Sequence, residues 1–343
     1  MHMADALLSP AVGGGMWVAA AALSARASVK LRSQPSESLA PMMAVLGAFV
    51  FAAQMINFSI PGTGSSGHLG GGLLLAILLG PHAAFLALAS VLTIQALFFA
   101  DGGLLALGCN MINLGVFPCY IAYPLIYRPL AGDGSSPSRR LAACIIASMA
   151  GMAMGAFAVV AETGLSGISE LPVGAFILLM VPIHLTIGLI EGGVTATVIG
   201  FISRAQPELL TVANRMDRTR QSRPVRRVAV CLLGVALLTG GLLSSFASEN
   251  PDGLEWSIEK MTGKKEIDGI GHPIHTALAS LQSKTSFMPD YDFRKDDAAD
   301  KDDARESAAK TGTSLAGVLG ACMTLLLAGG VGLFLRLRSR KHL

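Results

Sequence analysis

The chain has 343 residues, 52% of them hydrophobic and only 14% charged, with a mean hydropathy of +0.57. Soluble domains carry about a quarter charged residues, so a water-soluble globular enzyme or regulator is excluded and an all-α integral membrane protein is expected. The net charge of +3 marks no nucleic-acid partner. The five cysteines (Cys109, Cys119, Cys144, Cys231, Cys322) all lie in or beside apolar stretches without a C-x-x-C pair, as small hydrophobes rather than disulfides or metal thiolates.

The opening Met1-His2-Met3-Ala4-Asp5 has no basic residue before Pro10 and so does not read as a secretory signal. The bulky His2 is expected to block removal of Met1 and keep its amine. A terminal amine, the next amide nitrogen and an imidazole Nδ1 can close two chelate rings on one ion and leave a fourth in-plane position. Four nitrogens in a square suit Ni(II) or Cu(II).

Apolar segments long enough to cross a membrane, alone or within a packed bundle, run roughly over 10–30, 41–58, 69–79, 82–99, 104–127, 140–162, 173–203, 226–247 and 313–335. The third is short and glycine-rich, and must be sheltered by its neighbours. An outside N-terminus puts Arg26, Lys30, Arg32, Arg128, Arg139 and Arg140 inside, together with the arginines from Arg204 to Arg227 and those from Arg336 to Arg340, in accord with the positive-inside rule. The C-terminus is then cytoplasmic. The outside stretch 248–312 holds 14 acidic and 9 basic residues and is long enough to escape that rule. Its part from 290 to 310 reads as solvated and flexible. The expected organisation is a seven-helix unit over 1–203, a basic cytoplasmic linker over 204–225 whose arginines can touch anionic lipid, and a two-helix unit over 226–343 with the outside loop 248–312.

The run Pro61-Gly62-Thr63-Gly64-Ser65-Ser66-Gly67-His68 lacks the lysine of a phosphate loop, so any ATP must be hydrolysed by another subunit. It does place His68 on the same side of the membrane as Met1 and His2, where it can supply a fourth nitrogen. Within the spans, Asn110 and Asn113 are spaced i, i+3, and His184 and Glu191 are spaced i, i+7 on one helical face. Together with Gln54 and Asn57 they are candidates for orienting the metal ligands rather than binding metal themselves. A membrane-embedded enzyme using His184 and Glu191 is a competing reading, weakened by the lack of H-E-x-x-H or a nucleophile motif. A structural assembly subunit is another. Gly151 to Gly155 and Gly188 to Gly192 form G-x-x-x-G patterns expected to pack helices closely. His272 and His275, with Pro273 between them, read as a surface turn rather than a metal-capture pair.

Met1-His2, the segment Ile56-Asn57-Phe58-Ser59-Ile60-Pro61-Gly62-Thr63 continuing to Ser66-Gly67-His68-Leu69-Gly70-Gly71, and Leu107-Gly108-Cys109-Asn110-Met111-Ile112-Asn113-Leu114-Gly115 resemble the CbiM/NikM family. These are the substrate-binding S components of energy-coupling factor transporters for cobalt and nickel. His184 to Gly192 is similar to the family's seventh-span pattern, and Pro251-Asp252-Gly253-Leu254-Glu255 matches the pentapeptide of the PDGLE domain, the accessory N component. The chain departs from the family at Ala4-Asp5-Ala6 and by a slightly longer glycine run. The resemblance implies that Met1, through its amine, His2, through its amide nitrogen and imidazole, and His68 hold the metal. No permanently bound cofactor is expected, and Ni(II) is favoured over Co(II) as the transported substrate. The resemblance further implies a transmembrane coupling component and cytoplasmic ATPase subunits as partners, in a bacterial inner membrane.

Overall fold

The computed structural model describes residues 2–33, 36–133, 136–205, 223–264, 267, 271–293 and 302–339. Met1, most of the basic linker (206–222) and residues 340–343 lie outside them.

Helices α1 (Pro10–Arg32) and α2 (Leu39–Gln54) are followed by a hairpin of β1 (Phe58–Ile60) and β2 (Ser65–Gly67). Ser9 caps α1 through its hydroxyl, and Pro10 supplies a first-turn residue that needs no N–H partner. The hairpin pairs antiparallel with Phe58 opposite Gly67, and its connection turns through Gly62 and Gly64, both at φ 78°. Helix α3 (Gly72–Leu79) is buried along its whole length, as an eight-residue apolar helix too short to cross alone must be. Then come α4 (Pro81–Phe98), α5 (Leu107–Ala131), α6 (Pro137–Ser166) and α7 (Val173–Ala205). In α5 the turns from Ile112 to Tyr127 are π-wound and contain Pro118 and Pro124, whose missing N–H groups fit a widened helix.

Helices α6 and α7 pack along their length. A Cβ on Gly188 would stand 2.6 Å from Met149 Cα and one on Gly192 would stand 2.4 Å from Ile145 Cα, so the second G-x-x-x-G pattern does bring two backbones together. Beyond the linker, α8 (Arg223–Gly241) and the last helix, α11 (Asp302–Ser339), flank α2. Between them lie α9 (Gly253–Thr262) and α10 (Pro273–Thr285), at the same end of the bundle as the hairpin. Helix α11 begins well before the apolar run expected at 313. Its acidic and alanine-rich first turns favour helix, which corrects the expectation of a flexible chain up to 310; residues 294–301 lie outside the described ones.

Five helices among the described residues are long and apolar enough to cross a membrane: α4, α5, α6, α7 and the Thr311–Arg338 part of α11. Leu39–Gln54 and Val228–Gly241 are shorter apolar helices. The protein is a mostly helical, multi-pass membrane protein.

Candidate metal site

The hairpin, the N-terminal segment and the accessory loop 248–293 converge at one end of the helices. His2 and His68 meet there with ring centroids 5.1 Å apart and planes 17° from parallel. The His2 side chain is 6% exposed; its Nδ1 lies 3.2 Å from Asp101 Oδ1, and its Nε2 is buried without a hydrogen-bond partner. His68 Nδ1 lies 3.1 Å from the carbonyl oxygen of Leu69, so that nitrogen carries the proton and Nε2 keeps its lone pair. Burial pushes the His68 imidazole down to about 3. Burial lowers His2 as well, against the pull of Asp101. Both rings are therefore neutral at physiological pH, the form that binds metal.

Each ring is held by the fold. Asn110 Oδ1 accepts the Met3 N–H at 2.8 Å and its Nδ2 donates to the Met3 carbonyl at 3.4 Å, reading the peptide after His2 as a β-ladder would. Gly103 N–H donates to the same carbonyl at 2.9 Å. Asn113 Nδ2 donates to Glu162 Oε2 at 2.8 Å and touches Met3 Sδ, burying Met3 as an anchor. Asp5, in the stretch where the chain departs from the CbiM/NikM pattern, ties the N-terminal segment to the start of α5: its Oδ1 accepts the Ala106 N–H at 2.9 Å.

On the other side, Glu191 accepts the N–H groups of Gly70 and Gly71, each at 3.0 Å, and Gln54 Nε2 donates to the Gly70 carbonyl at 2.9 Å. Gln95 in turn donates to Gln54. These bonds fix the chain two residues beyond His68. Gln54, Asn110 and Glu191 thus act on the backbone around the two histidines, and Asn113 on the Met3 side chain. Asn57 lines the cavity beside them, and its carbonyl accepts the Ser248 N–H at 2.8 Å. His184 is buried with Nδ1 at 2.8 Å from Met180 O and lies against Gly253, so it faces the accessory loop. Glu191 and His184 consequently serve two different contacts and do not form a common catalytic pair.

The accessory loop covers the hairpin. Ser66 N–H donates to Pro251 O at 2.8 Å and Ser66 Oγ to Asn250 O at 2.7 Å, while Trp256 Nε1 donates to Thr63 O at 2.9 Å. Asp252 caps α9 in a capping box with Glu255. His272 caps α10, and His275 is buried with Nε2 at 3.1 Å from Asp5 O and 2.9 Å from Leu8 O. This corrects the surface-turn reading of the pair: Pro273 starts a helix, whose first turn aims His275 at the N-terminal segment. A cavity of about 430 Å³ opens beside His2 and His68, lined also by Asp101, Asp252, Glu255 and Tyr291.

Among the described residues no three His, Cys, Asp or Glu side chains come together to hold a metal ion. The described residues thus bring two imidazoles together, and Met1 lies outside them. Asp101, Glu162, Gln95 and Tyr291 belong to the site only through the fold. In the sequence Glu162 is detectable as an ionisable group at the end of a span, and Asp101 as the lone charge between two spans.

Comparison with known proteins identifies the family of the chain. The family model described as the cobalt uptake substrate-specific transmembrane region matches residues 2–209, and the PDGLE domain model matches 226–337. The putative fused nickel transport protein NikMN of Archaeoglobus fulgidus is 30% identical over 332 residues, 95% of this chain and 96% of its own. The fused nickel transport protein NikMN of Rhodobacter capsulatus is 30% identical, over 77% of this chain and 78% of its own. The cobalt transport protein CbiM of Geobacter sulfurreducens is 29% identical over the same shares. A crystal structure of a transition metal transporter superposes with a TM-score of 0.54 at 29% identity, covering 63% of this chain and all of that one. These relatives are named as transport proteins, which sets the chain among transport components and not among enzymes. The chain belongs to the CbiM family of substrate-specific transmembrane components, with a PDGLE domain fused behind it.

Proposed function

We propose that the chain is the substrate-binding component of an ATP-driven energy-coupling factor importer for a divalent transition-metal ion, Ni(II) first and Co(II) second. The observation that carries this reading is the stacked, neutral His2–His68 pair at the end of the N-terminal segment. Met1 would supply its amine, His2 its amide nitrogen and imidazole, and His68 its Nε2. Copper binds such a square more tightly on intrinsic affinity, so selectivity rests on geometry and metal supply.

The seven helices α1 to α7 form the binding unit, α8 and α11 carry the accessory unit, and the N-terminus faces outside. A transmembrane coupling protein and cytoplasmic ATPase subunits complete the transporter, because this sequence contains no nucleotide-binding motif. Replacing His68 by Ala in cells that contain the whole transporter tests the reading. Nickel uptake should be lost while the chain still reaches the membrane, and normal uptake would remove His68 from the site.

A further inference from the structure

Three non-glycine residues among the described ones have positive φ: Ala100 at 54°, Asp290 at 52° and Tyr291 at 63°. All three adjoin one contact. The Tyr291 hydroxyl, from the accessory loop, donates to Asp101 Oδ2, and the other oxygen of Asp101 faces His2 Nδ1 at 3.2 Å. Left-handed backbone is unfavourable for residues with a Cβ and persists only where surrounding contacts over-determine it. Those contacts are visible. Asp290 N–H donates to Phe99 O at 2.8 Å, the Tyr291 ring stacks on Phe99 at 5.0 Å, and Gln282 Nε2 donates to both Ala96 O and Gly102 O at 2.8 Å. The accessory loop thus grips both ends of the turn that carries Asp101.

We propose that Tyr291 is a positioning residue for the His2 imidazole, acting through Asp101, so that seating of the accessory loop raises the affinity of the site for a divalent transition-metal ion. The inference rests on the reading of His2 and His68 as ligands. Chelation through Nδ1 requires the His2 ring to turn over from the orientation described above, which brings its Nε2–H to the edge facing Asp101. Asp101, held in place by the Tyr291 hydroxyl, accepts that proton donor and keeps the Nδ1 lone pair toward the ion, as carboxylate partners of metal-binding histidines do. Without the hydroxyl, Asp101 is free to rotate and the correctly faced ring is less populated. By thermodynamic reciprocity, bound metal also strengthens the seating of the loop.

The test uses the full chain with its native N-terminus and measures Ni(II) affinity by competition with a chelator. Tyr291→Phe removes one hydroxyl and keeps the ring stack on Phe99. It should weaken binding by about 3- to 10-fold, less than the about 10- to 100-fold expected of Asp101→Asn. The double variant should bind no more weakly than Asp101→Asn alone, because the hydroxyl acts only through the carboxylate. At saturating Ni(II), Tyr291→Phe should also shift the d–d absorption of the bound ion, which a packing role would leave unmoved. Wild-type affinity in Tyr291→Phe, or the same loss repeated on top of Asp101→Asn, overturns the proposal. A wild-type chain that binds no stoichiometric nickel overturns the ligand reading itself, and this inference with it.

Discussion

Glu191 sits in the middle of α7, yet both of its oxygens are engaged with backbone two and three residues from His68. Glu191→Gln keeps the shape of the side chain but replaces one acceptor with an NH₂ group, so one glycine N–H faces another donor. The lost hydrogen bond to a carboxylate costs about 1.5–3 kcal/mol, and a buried N–H left unpaired costs about 1–3 kcal/mol; the two overlap, giving about 2–3 kcal/mol. The strain falls on the 68–71 segment, which the clamp and the Gln54 bond hold from the bundle side. Most of the cost therefore appears as lost metal affinity, about 30- to 150-fold when converted at 1.4 kcal/mol per factor of ten. Chelator competition on the purified variant reads the affinity, and an immunoblot of membranes checks that the chain inserts. Nickel affinity within about twofold of the parent in a properly inserted variant would refute the claim that Glu191 positions His68.

Gly253 comes so close to α7 that a Cβ there would stand 2.7 Å from Ile183 Cγ2 and 2.9 Å from His184 Cε1. Gly253→Ala should cost about 1–3 kcal/mol of docking and speed hydrogen exchange at the Ser66 amide, whose partner is Pro251 O; unchanged exchange would contradict the close fit. Glu255 is pushed up to about 6 by burial and then by the charge of Asp252. Its folded-state value lies above the unfolded one, so the contribution is present below about pH 4.5 and is lost as pH rises through about 6. The metal-free wild type should therefore lose thermal stability over that interval relative to Glu255→Gln, and parallel melting curves would contradict it.

The spans are legible in the sequence because an apolar run of membrane length has little use in a water-soluble chain, and the two histidines because His2 stands in an opening without a basic residue and His68 ends an uncharged glycine-rich run. The partners of the site are harder to read. Gln54, Asn110, Asn113 and Glu191 stand out as polar groups in apolar helices, but their targets include backbone atoms of Met3, Gly70 and Gly71, and only the fold brings these within reach. Asp101 and Tyr291 are 190 residues apart, and their meeting depends on an accessory loop whose acidic sequence carries no sign of it. His275 escapes a sequence reading because Pro273 signals either a turn or the first residue of a helix, and the outcome is decided by the N-terminal segment on which α10 lands. The early start of α11 reflects the same limit: alanine and acidic residues suit both solvated chain and the first turns of a helix.

If the metal site is as proposed, nitrogens of the first two residues share one ion with the imidazoles of His2 and His68. The nickel content of the purified full chain reads this directly when the chain carries a removable N-terminal extension of several residues and is assayed before and after cleavage immediately ahead of Met1. No stoichiometric nickel is expected while the amine is blocked, and one ion per chain once it is free. Equal nickel in the two forms would contradict the assignment of the amine as a ligand.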